Sequence, residues 1–244
     1  NKLLSIYFTA GFPKLEDTVD IIKRLQDAGV DMVEIGLPYS DPLADGPTIQ
    51  QSSTQALKNG MSSMKLFEQI QDIRQDVEIP LIVMGYFNPM LQYGVRKFCQ
   101  TASEIGIDGF IMPDLPYDYW VEHHQKDYQD FDLKHIQLIT PQTSVERIHK
   151  IDKQSQDAFI YMVSSSATTG SQSGFADEQL NYFERIGSYK LKTPQIVGFG
   201  IKDETTFQQA TKYAKGAIIG SAFIKMLEKD GVKGIEGFVK SIRA

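Results

Sequence analysis

Residues 3–36, LLSIYFTAGFPKLEDTVDIIKRLQDAGVDMVEIG, contain one complete strand–helix–strand unit. The apolar runs Leu3–Thr9 and Met32–Gly36 have the length and composition of buried strands. Between them, residues 15–28 carry apolar side chains at helical spacing, and Gly29 follows as a helix stop. Because neighbouring parallel strands need such a crossover, the stretch predicts a β-α-β unit of a parallel sheet.

The same pattern of apolar run, turn and amphipathic helix recurs along the whole chain. Six further runs lie at residues 81–86, 109–113, 136–140, 159–164, 196–200 and 216–220. Eight such strands close a (β/α)8 barrel, so we expect an α/β fold of the TIM-barrel type. No linker rich in Pro, Ser or Gly divides the 244 residues, and we therefore expect 1–244 to form one domain. A doubly wound open sheet is the alternative, but the first turn, AGFPK, lacks the GxGxxG pattern typical of that fold.

The composition excludes several classes of protein. The net charge of −6 argues against a broad nucleic-acid-binding surface, which needs a basic face. A single cysteine, Cys99, allows no intrachain disulfide and favours a reducing cytoplasm. No apolar run reaches the roughly 18 residues of a membrane span, so we expect no membrane contact.

Glu34 is the first candidate for chemistry. Period-two alternation in MVEIG puts Glu34 on the face opposite Val33 and Ile35, and therefore in the barrel mouth if the apolar pair faces the helices. Partial desolvation there raises the pKa of a carboxyl group and prepares it for proton transfer near neutral pH. The alternative is a solvated glutamate at a frayed strand end.

Two loops at the predicted catalytic face are long enough to act as lids, at residues 37–50 and 165–175. Asp45 lies in the first of them and would pair with Glu34 if the loop folds back, giving two carboxyls in different environments that divide acid and base work. The alternative for Asp45 is a turn cap. The second loop is rich in small and hydroxyl side chains, which is typical of a phosphate-binding lid or of a flexible linker.

A phosphate site is predicted where strands seven and eight end. Gly198, Gly200 and Gly220 let backbone N–H groups approach an anion, and a helix begins near Ser221. Apolar side chains at the strand ends indicate a ligand that also carries an apolar ring, although ordinary barrel core explains them as well. These side chains are Phe8, Met84, Tyr86, Ile111, Tyr161, Phe199 and Ile218.

Other chemistries lack their usual residues. The four histidines lie on predicted helices or at the amino-terminal end of strand five, so we expect no histidine-based metal site. No lysine lies within a predicted strand, which disfavours a Schiff-base aldolase.

Residues 33–50, VEIGLPYSDPLADGPTIQ, closely resemble the signature of the tryptophan synthase alpha subunit family. Ordered matches in YFTAGFP, VGFG and IIGSAFIK extend the resemblance over essentially the whole chain. The resemblance implies reversible retro-aldol cleavage of indole-3-glycerol phosphate to indole and glyceraldehyde 3-phosphate. It also implies an α2β2 complex whose β subunit holds pyridoxal phosphate and receives the indole, with no cofactor or metal in this subunit.

The same resemblance implies roles for individual residues. Glu34 matches the general acid/base, Asp45 the carboxylate at the indole N–H, and Tyr161 a tyrosine close to the catalytic glutamate. The full set expected to bind phosphate is Gly170, Gly198, Gly200, Gly220 and Ser221, and the set expected around the indole ring is Phe8, Ile111, Phe199 and Ile218. Ser165 and Ala167 stand where the family usually has Arg and Gly. Because both lie in the second predicted lid loop, these differences concern how the loop closes and how its closure is coupled to the partner subunit.

Three rival functions stay open at this stage. Another phosphate-binding barrel enzyme, such as a class I aldolase or a related indole-glycerol-phosphate enzyme, would need a lysine at a strand end. A noncatalytic subunit is disfavoured because Glu34 and Asp45 are both present. A stand-alone lyase that releases free indole differs only in lacking the partner.

Overall fold

The computed structural model describes residues 2–155, 157–164 and 175–243. Its strands form one parallel sheet in the order β5-β4-β3-β2-β1-β9-β8-β7-β6. The strands are β1 Leu3–Thr9, β2 Met32–Gly36, β3 Leu81–Met84, β4 Gly109–Ile111, β5 Lys134–His135, β6 Gln137–Ile139, β7 Ile160–Val163, β8 Gln195–Gly198 and β9 Gly216–Ile219.

The two strands at the ends of this order close the barrel. β5 pairs with β4 and β6 pairs with β7, yet only Ile136 separates β5 from β6 along the chain. The Ile136 N–H donates to the carbonyl oxygen of Phe110 at 2.9 Å, so residues 134–139 occupy one place between β4 and β7. The predicted (β/α)8 barrel is confirmed, with its fifth strand interrupted and beginning two residues earlier than the predicted 136–140.

Helices surround the barrel and connect its strands. They are α1 Asp17–Asp27, α2 Pro47–Lys58, α3 Ser63–Ile70, α4 Phe87–Tyr93, α5 Val95–Ile105, α6 Tyr117–His123, α7 Gln125–Asp130, α8 Val145–Gln154, α9 Asp177–Ser188, α10 Glu204–Thr211, α11 Ser221–Asp230 and α12 Ile235–Ile242. The helix predicted to begin near Ser221 is α11, and a 3-10 turn at Gly231–Gly234 joins it to a further helix, α12. None of the helices in the described ranges is both long and apolar enough to span a membrane.

Side chains at helix starts explain several of these bounds. Ser62 and Ser144 precede α3 and α8, and each accepts a hydrogen bond from the backbone N–H three residues later. Asp203 does the same at the start of α10. Gly106, in the left-handed conformation, ends α5 where a side chain would be strained.

Two apolar layers lie on opposite faces of the sheet. The larger fills the space between strands and helices and includes Val33 and Ile35. The smaller fills the barrel interior, and its buried members are Tyr7, Met32, Ile82, Ile111, Ile136, Phe159, Tyr161, Ile196 and Ile218. Alternation along each strand therefore decides whether a residue faces the helices or the interior.

Candidate active site

Glu34 lies in the barrel interior. Its neighbours Val33 and Ile35 belong to the outer layer and Met32 to the inner one, as the alternation of β2 predicts. The side chain is fully buried. Ser5 Oγ donates a hydrogen bond to Glu34 Oε1 at 3.0 Å, whereas Glu34 Oε2 is buried without a hydrogen-bond partner among the described residues.

Burial changes the acidity of this carboxyl. Desolvation raises the pKa of Glu34 to about 8, and the hydrogen bond from Ser5 opposes that rise by favouring the ionised form. A group with this pKa is mostly protonated at neutral pH and titrates close to it. Glu34 can therefore both give and take a proton under ordinary conditions.

Two buried tyrosines accompany Glu34. Tyr7 on β1 and Tyr161 on β7 both belong to the interior layer. Burial raises the pKa of both phenols, and the negative charges of Glu34 and Asp45 raise it further. Both tyrosines therefore stay protonated near neutral pH.

Glycines make room for these rings. A Cβ at Gly36 would collide with the Tyr7 hydroxyl, and a Cβ at Gly198 would collide with the Tyr161 hydroxyl. The sequence assigned Gly198 to phosphate binding. The structure also gives it a packing role, because the phenol of Tyr161 lies where its side chain would be, and its part in phosphate binding stays a prediction.

Asp45 lies in the loop between β2 and α2. Tyr86 Oη donates to Asp45 Oδ2 at 3.2 Å, and the backbone N–H of Ala44 donates to Tyr86 Oη at 3.0 Å. Partial burial raises the pKa of Asp45 to about 6, against the opposing effect of the Tyr86 hydrogen bond. Tyr39 stacks on Tyr86 with ring centroids 5.1 Å apart, which holds the loop against β3 and its extension.

A cavity opens beside this loop at the carboxyl ends of the strands. Its lining residues are Tyr7, Leu37, Tyr39, Asp45, Ser53, Met84, Gly85, Tyr86 and Pro113. It brings an aromatic floor and one carboxylate together. These are the two kinds of group that can contact an apolar ring and accept a hydrogen bond from it.

The prediction that Phe8 lines the indole pocket is wrong. Phe8 is fully buried in the outer layer, whereas its neighbour Tyr7 faces the interior and lines the cavity. Ser5 shares the face of Tyr7, since it reaches Glu34 inside the barrel. Alternation then turns Phe8 toward the helices.

The other predicted ring contacts lie on the inner face. Ile111 and Ile218 are buried members of the interior layer. Phe199 is half-buried above them, with its ring edge-on to Tyr161 at a centroid distance of 6.3 Å. Phe199 has φ +70 and Gly200 has φ +79, so the chain turns through left-handed backbone directly after β8.

The predicted phosphate residues lie where β8 and β9 end. Gly220 is the N-cap of α11, and the first helical bond runs from the Ile224 N–H to the Gly220 carbonyl at 3.0 Å. The N–H groups of the first turn have no intrahelical acceptor and are available to an anion. Gly170 lies outside the described residues, as do Ser165 and Ala167.

Comparisons with known proteins agree with this arrangement. A family model described as tryptophan synthase alpha chain matches residues 1–242. The chain belongs to the tryptophan synthase alpha chain family. The tryptophan synthase alpha chain of Christiangramia forsetii is 62% identical over 244 residues, which covers 100% of this chain and 95% of the relative. The tryptophan synthase alpha chain of Flavobacterium johnsoniae is 62% identical over 242 residues, which covers 99% of this chain and 95% of the relative.

Solved structures of tryptophan synthase share the fold. A crystal structure of the alpha subunit from Legionella pneumophila has a TM-score of 0.88 at 33% identity and covers 100% of this chain and 92% of its own. The aminoacrylate-bound tryptophan synthase of Mycobacterium tuberculosis has a TM-score of 0.85 at 27% identity, and the match covers 99% of this chain and 91% of that chain. Family membership confirms the predicted activity, that of a carbon–carbon lyase acting on indole-3-glycerol phosphate.

Three residues of this tryptophan synthase alpha chain site were missed or misjudged from the sequence. Tyr86 was considered only as an apolar wall, but its hydroxyl joins Asp45 to the loop backbone. Tyr7 was passed over in favour of Phe8. Ser5 was not considered, although it is a hydroxyl residue on the strand face that also carries Tyr7.

Proposed function

We propose that Glu34 carries the protons of the reversible cleavage of indole-3-glycerol phosphate into indole and glyceraldehyde 3-phosphate. Indole is a poor leaving group as a carbanion, and protonation at its C3 lets it depart as a neutral ring. The glycerol hydroxyl beside the ring must lose its proton as the C–C bond breaks. One carboxyl that titrates near neutral pH can serve both steps.

The observation that carries this proposal is the buried carboxyl of Glu34, with a pKa of about 8 and an Oε2 that no group of the described residues hydrogen-bonds. At neutral pH such a group holds a proton ready for transfer. After it has given this proton to C3, its ionised form can accept the proton of the glycerol hydroxyl.

We propose that Asp45 accepts a hydrogen bond from the indole N–H. Protonation at C3 creates positive charge on the ring nitrogen, and a nearby carboxylate stabilises that charge. With a pKa of about 6, Asp45 is mostly ionised at pH 7, whereas Glu34 is mostly protonated. Tyr161, buried and neutral, completes the catalytic set by packing close to the reacting carboxyl.

The phosphate of the substrate is proposed to bind at the first turn of α11. Gly220, Ser221 and Gly200 lie at the ends of neighbouring strands, and the N–H groups there favour an anion. Ile111, Phe199 and Ile218, together with Tyr7, are proposed to contact the indole ring. Gly170 is proposed as a further phosphate contact from the resemblance alone.

The remaining parts of the proposal rest on the family. We propose that the chain forms one domain over residues 1–244, acts in the cytoplasm without a cofactor of its own, and works in an α2β2 complex. The β subunit would hold pyridoxal phosphate and take up the indole for tryptophan synthesis.

The test is the cleavage rate of indole-3-glycerol phosphate in the Glu34→Gln variant. The amide cannot transfer the proton, so we expect a loss of about 10²–10⁴-fold in kcat with the fold intact by circular dichroism. Glu122→Gln, an exposed glutamate on α6, is the matched control and should retain the full rate. A Glu34→Gln rate above about a tenth of that of the unmodified protein contradicts the assignment. Repeating the assay with a β subunit, together with a pull-down, separates the complex from a stand-alone lyase.

A further inference from the structure

We propose that Ser5 is a positioning residue that selects which oxygen of Glu34 transfers the proton. Its hydroxyl holds Oε1 and leaves Oε2 to face the substrate. This inference rests on the proposed role of Glu34, but it concerns the carboxyl itself and can be measured without turnover.

The position of Ser5 makes this interaction specific. Ser5 lies on β1 beside Met32 of β2 and Ile218 of β9, both of which belong to the apolar interior layer. Its side chain is 1% exposed. The hydrogen bond to Glu34 Oε1 is the one contact recorded for its hydroxyl in the part of the chain described. A buried hydroxyl needs a partner, and here the partner is the carboxyl proposed to be catalytic.

The hydrogen bond distinguishes the two carboxyl oxygens. A protonated carboxyl has one O–H donor and one carbonyl-type acceptor. Because the Ser5 hydroxyl donates to Oε1, that oxygen is the acceptor and the transferable proton resides on Oε2. Oε2 is the atom that lacks a partner among the described residues, so its proton is free to move to a bound substrate.

The same bond opposes the effect of burial on proton release. The ionisable groups whose charges interact across this interior are Tyr7 on β1, Tyr161 on β7 and Asp45 in the loop after β2. Each of them is neutral or negative, so none favours the ionised form of Glu34. Ser5 does favour it, because its hydroxyl donates to the carboxylate.

The test compares Ser5→Ala, Ser5→Thr and Ser5→Cys with the unmodified protein. Infrared difference spectra across pH report the carbonyl band of protonated Glu34, which is assigned by its loss in Glu34→Gln. We expect Ser5→Ala to raise the apparent pKa of Glu34 by about one to two pH units, the size of a lost charged hydrogen bond. Ser5→Thr should restore the original titration, and Ser5→Cys, a weaker donor, should lie between.

Kinetics provide the second readout. The limb of the kcat/KM profile that belongs to Glu34 should move to higher pH in Ser5→Ala by the same amount, since kcat/KM reports the free enzyme. Ser155→Ala is the matched control. Ser155 is also buried, but it follows α8 at the opposite end of the barrel, so its replacement should leave the limb in place.

Two outcomes overturn the proposal. One is an unchanged Glu34 titration in Ser5→Ala, and the other is a shift that Ser5→Thr fails to reverse. If Ser5→Ala does not fold, the Cys variant decides the matter, because an unchanged titration there also contradicts the role of Ser5. If Glu34→Gln retains turnover, the proposed function fails, while the infrared titration still tests the Ser5 bond.

Discussion

The burial of Glu34 predicts that the stability of the folded chain depends on pH in a way that Glu34→Gln removes. In the unfolded chain this carboxyl has a pKa near 4.5, and in the folded chain about 8. Between these values the folded state keeps a proton that the unfolded state loses. The free energy of unfolding therefore falls as pH rises, because the unfolded state binds fewer protons.

The sign and the size of the change in the free energy of unfolding follow from the interval between the two pKa values. The contribution of neutral Glu34 is fully present below about pH 4.5 and is lost by about pH 8 and above. One pKa unit is worth about 1.4 kcal/mol, so the complete interval corresponds to about 5 kcal/mol, of which about 4 kcal/mol falls between pH 5 and pH 9. The side chain is fully buried, so solvent does not screen this cost.

Urea denaturation of the unmodified protein and of Glu34→Gln, at half-unit steps from pH 5 to pH 9, measures the effect. The difference between the two free energies of unfolding is the quantity to follow. Asp45 titrates in both proteins and largely cancels in this difference, the buried tyrosines stay protonated over this range, and the cost of burying the amide adds a constant. We expect the difference to move by several kcal/mol in favour of Glu34→Gln as pH rises. A flat difference would refute the reasoning, because Glu34 would then titrate alike in the folded and unfolded chains.

Three further predictions concern the rest of the site. Asp45→Asn should lower kcat for cleavage by about 10²-fold while isothermal titration shows little change in substrate binding; an unchanged kcat would remove Asp45 from the mechanism. Tyr7→Leu should raise KM several-fold. Phe8→Leu should leave KM unchanged and should lower the free energy of unfolding by about 1–2 kcal/mol. A raised KM in Phe8→Leu with an unchanged KM in Tyr7→Leu would show that Phe8 lines the pocket. Gly198→Ala should cost about 1–3 kcal/mol in urea denaturation, because its Cβ would collide with the hydroxyl and the ring carbons of Tyr161. The same change should cost less in a Tyr161→Ala background, which lacks the whole ring; an equal cost there would mean that the strain lies elsewhere.

The barrel was predictable because its evidence is repeated. Each strand–helix unit carries its own period and its own turn, so an error in one unit does not alter the count. The break at Ile136 was not predictable, since it arises from how residues 134–139 bridge β4 and β7. The break becomes visible only in the backbone hydrogen bonds that pair this segment with β4 on one side and with β7 on the other.

The error at Phe8 shows a different limit. Alternation in β1 separates Leu4, Ile6 and Phe8 from Ser5 and Tyr7, but it does not say which set faces inward. In β2 the polar member of the alternation, Glu34, was taken as the inward one. The same argument applied to β1 selects the face of Ser5, and Tyr7 with it. The information was present in the sequence, whereas the Tyr86–Asp45 contact needed the folded loop.

The two carboxyls of the site differ because of depth rather than because of neighbouring cations. Glu34 is enclosed by the barrel interior, where one hydroxyl offsets part of its desolvation. Asp45 lies at the rim, where it is less buried and a phenol donates to it. Their pKa values of about 8 and about 6 therefore bracket neutral pH, with the deeper group protonated and the outer one ionised. The proposed mechanism requires this order, because in it the substrate receives a proton at carbon from Glu34 and is stabilised at nitrogen by Asp45. Under the proposed mechanism, different depths of burial are enough to give the two carboxyls these separate roles.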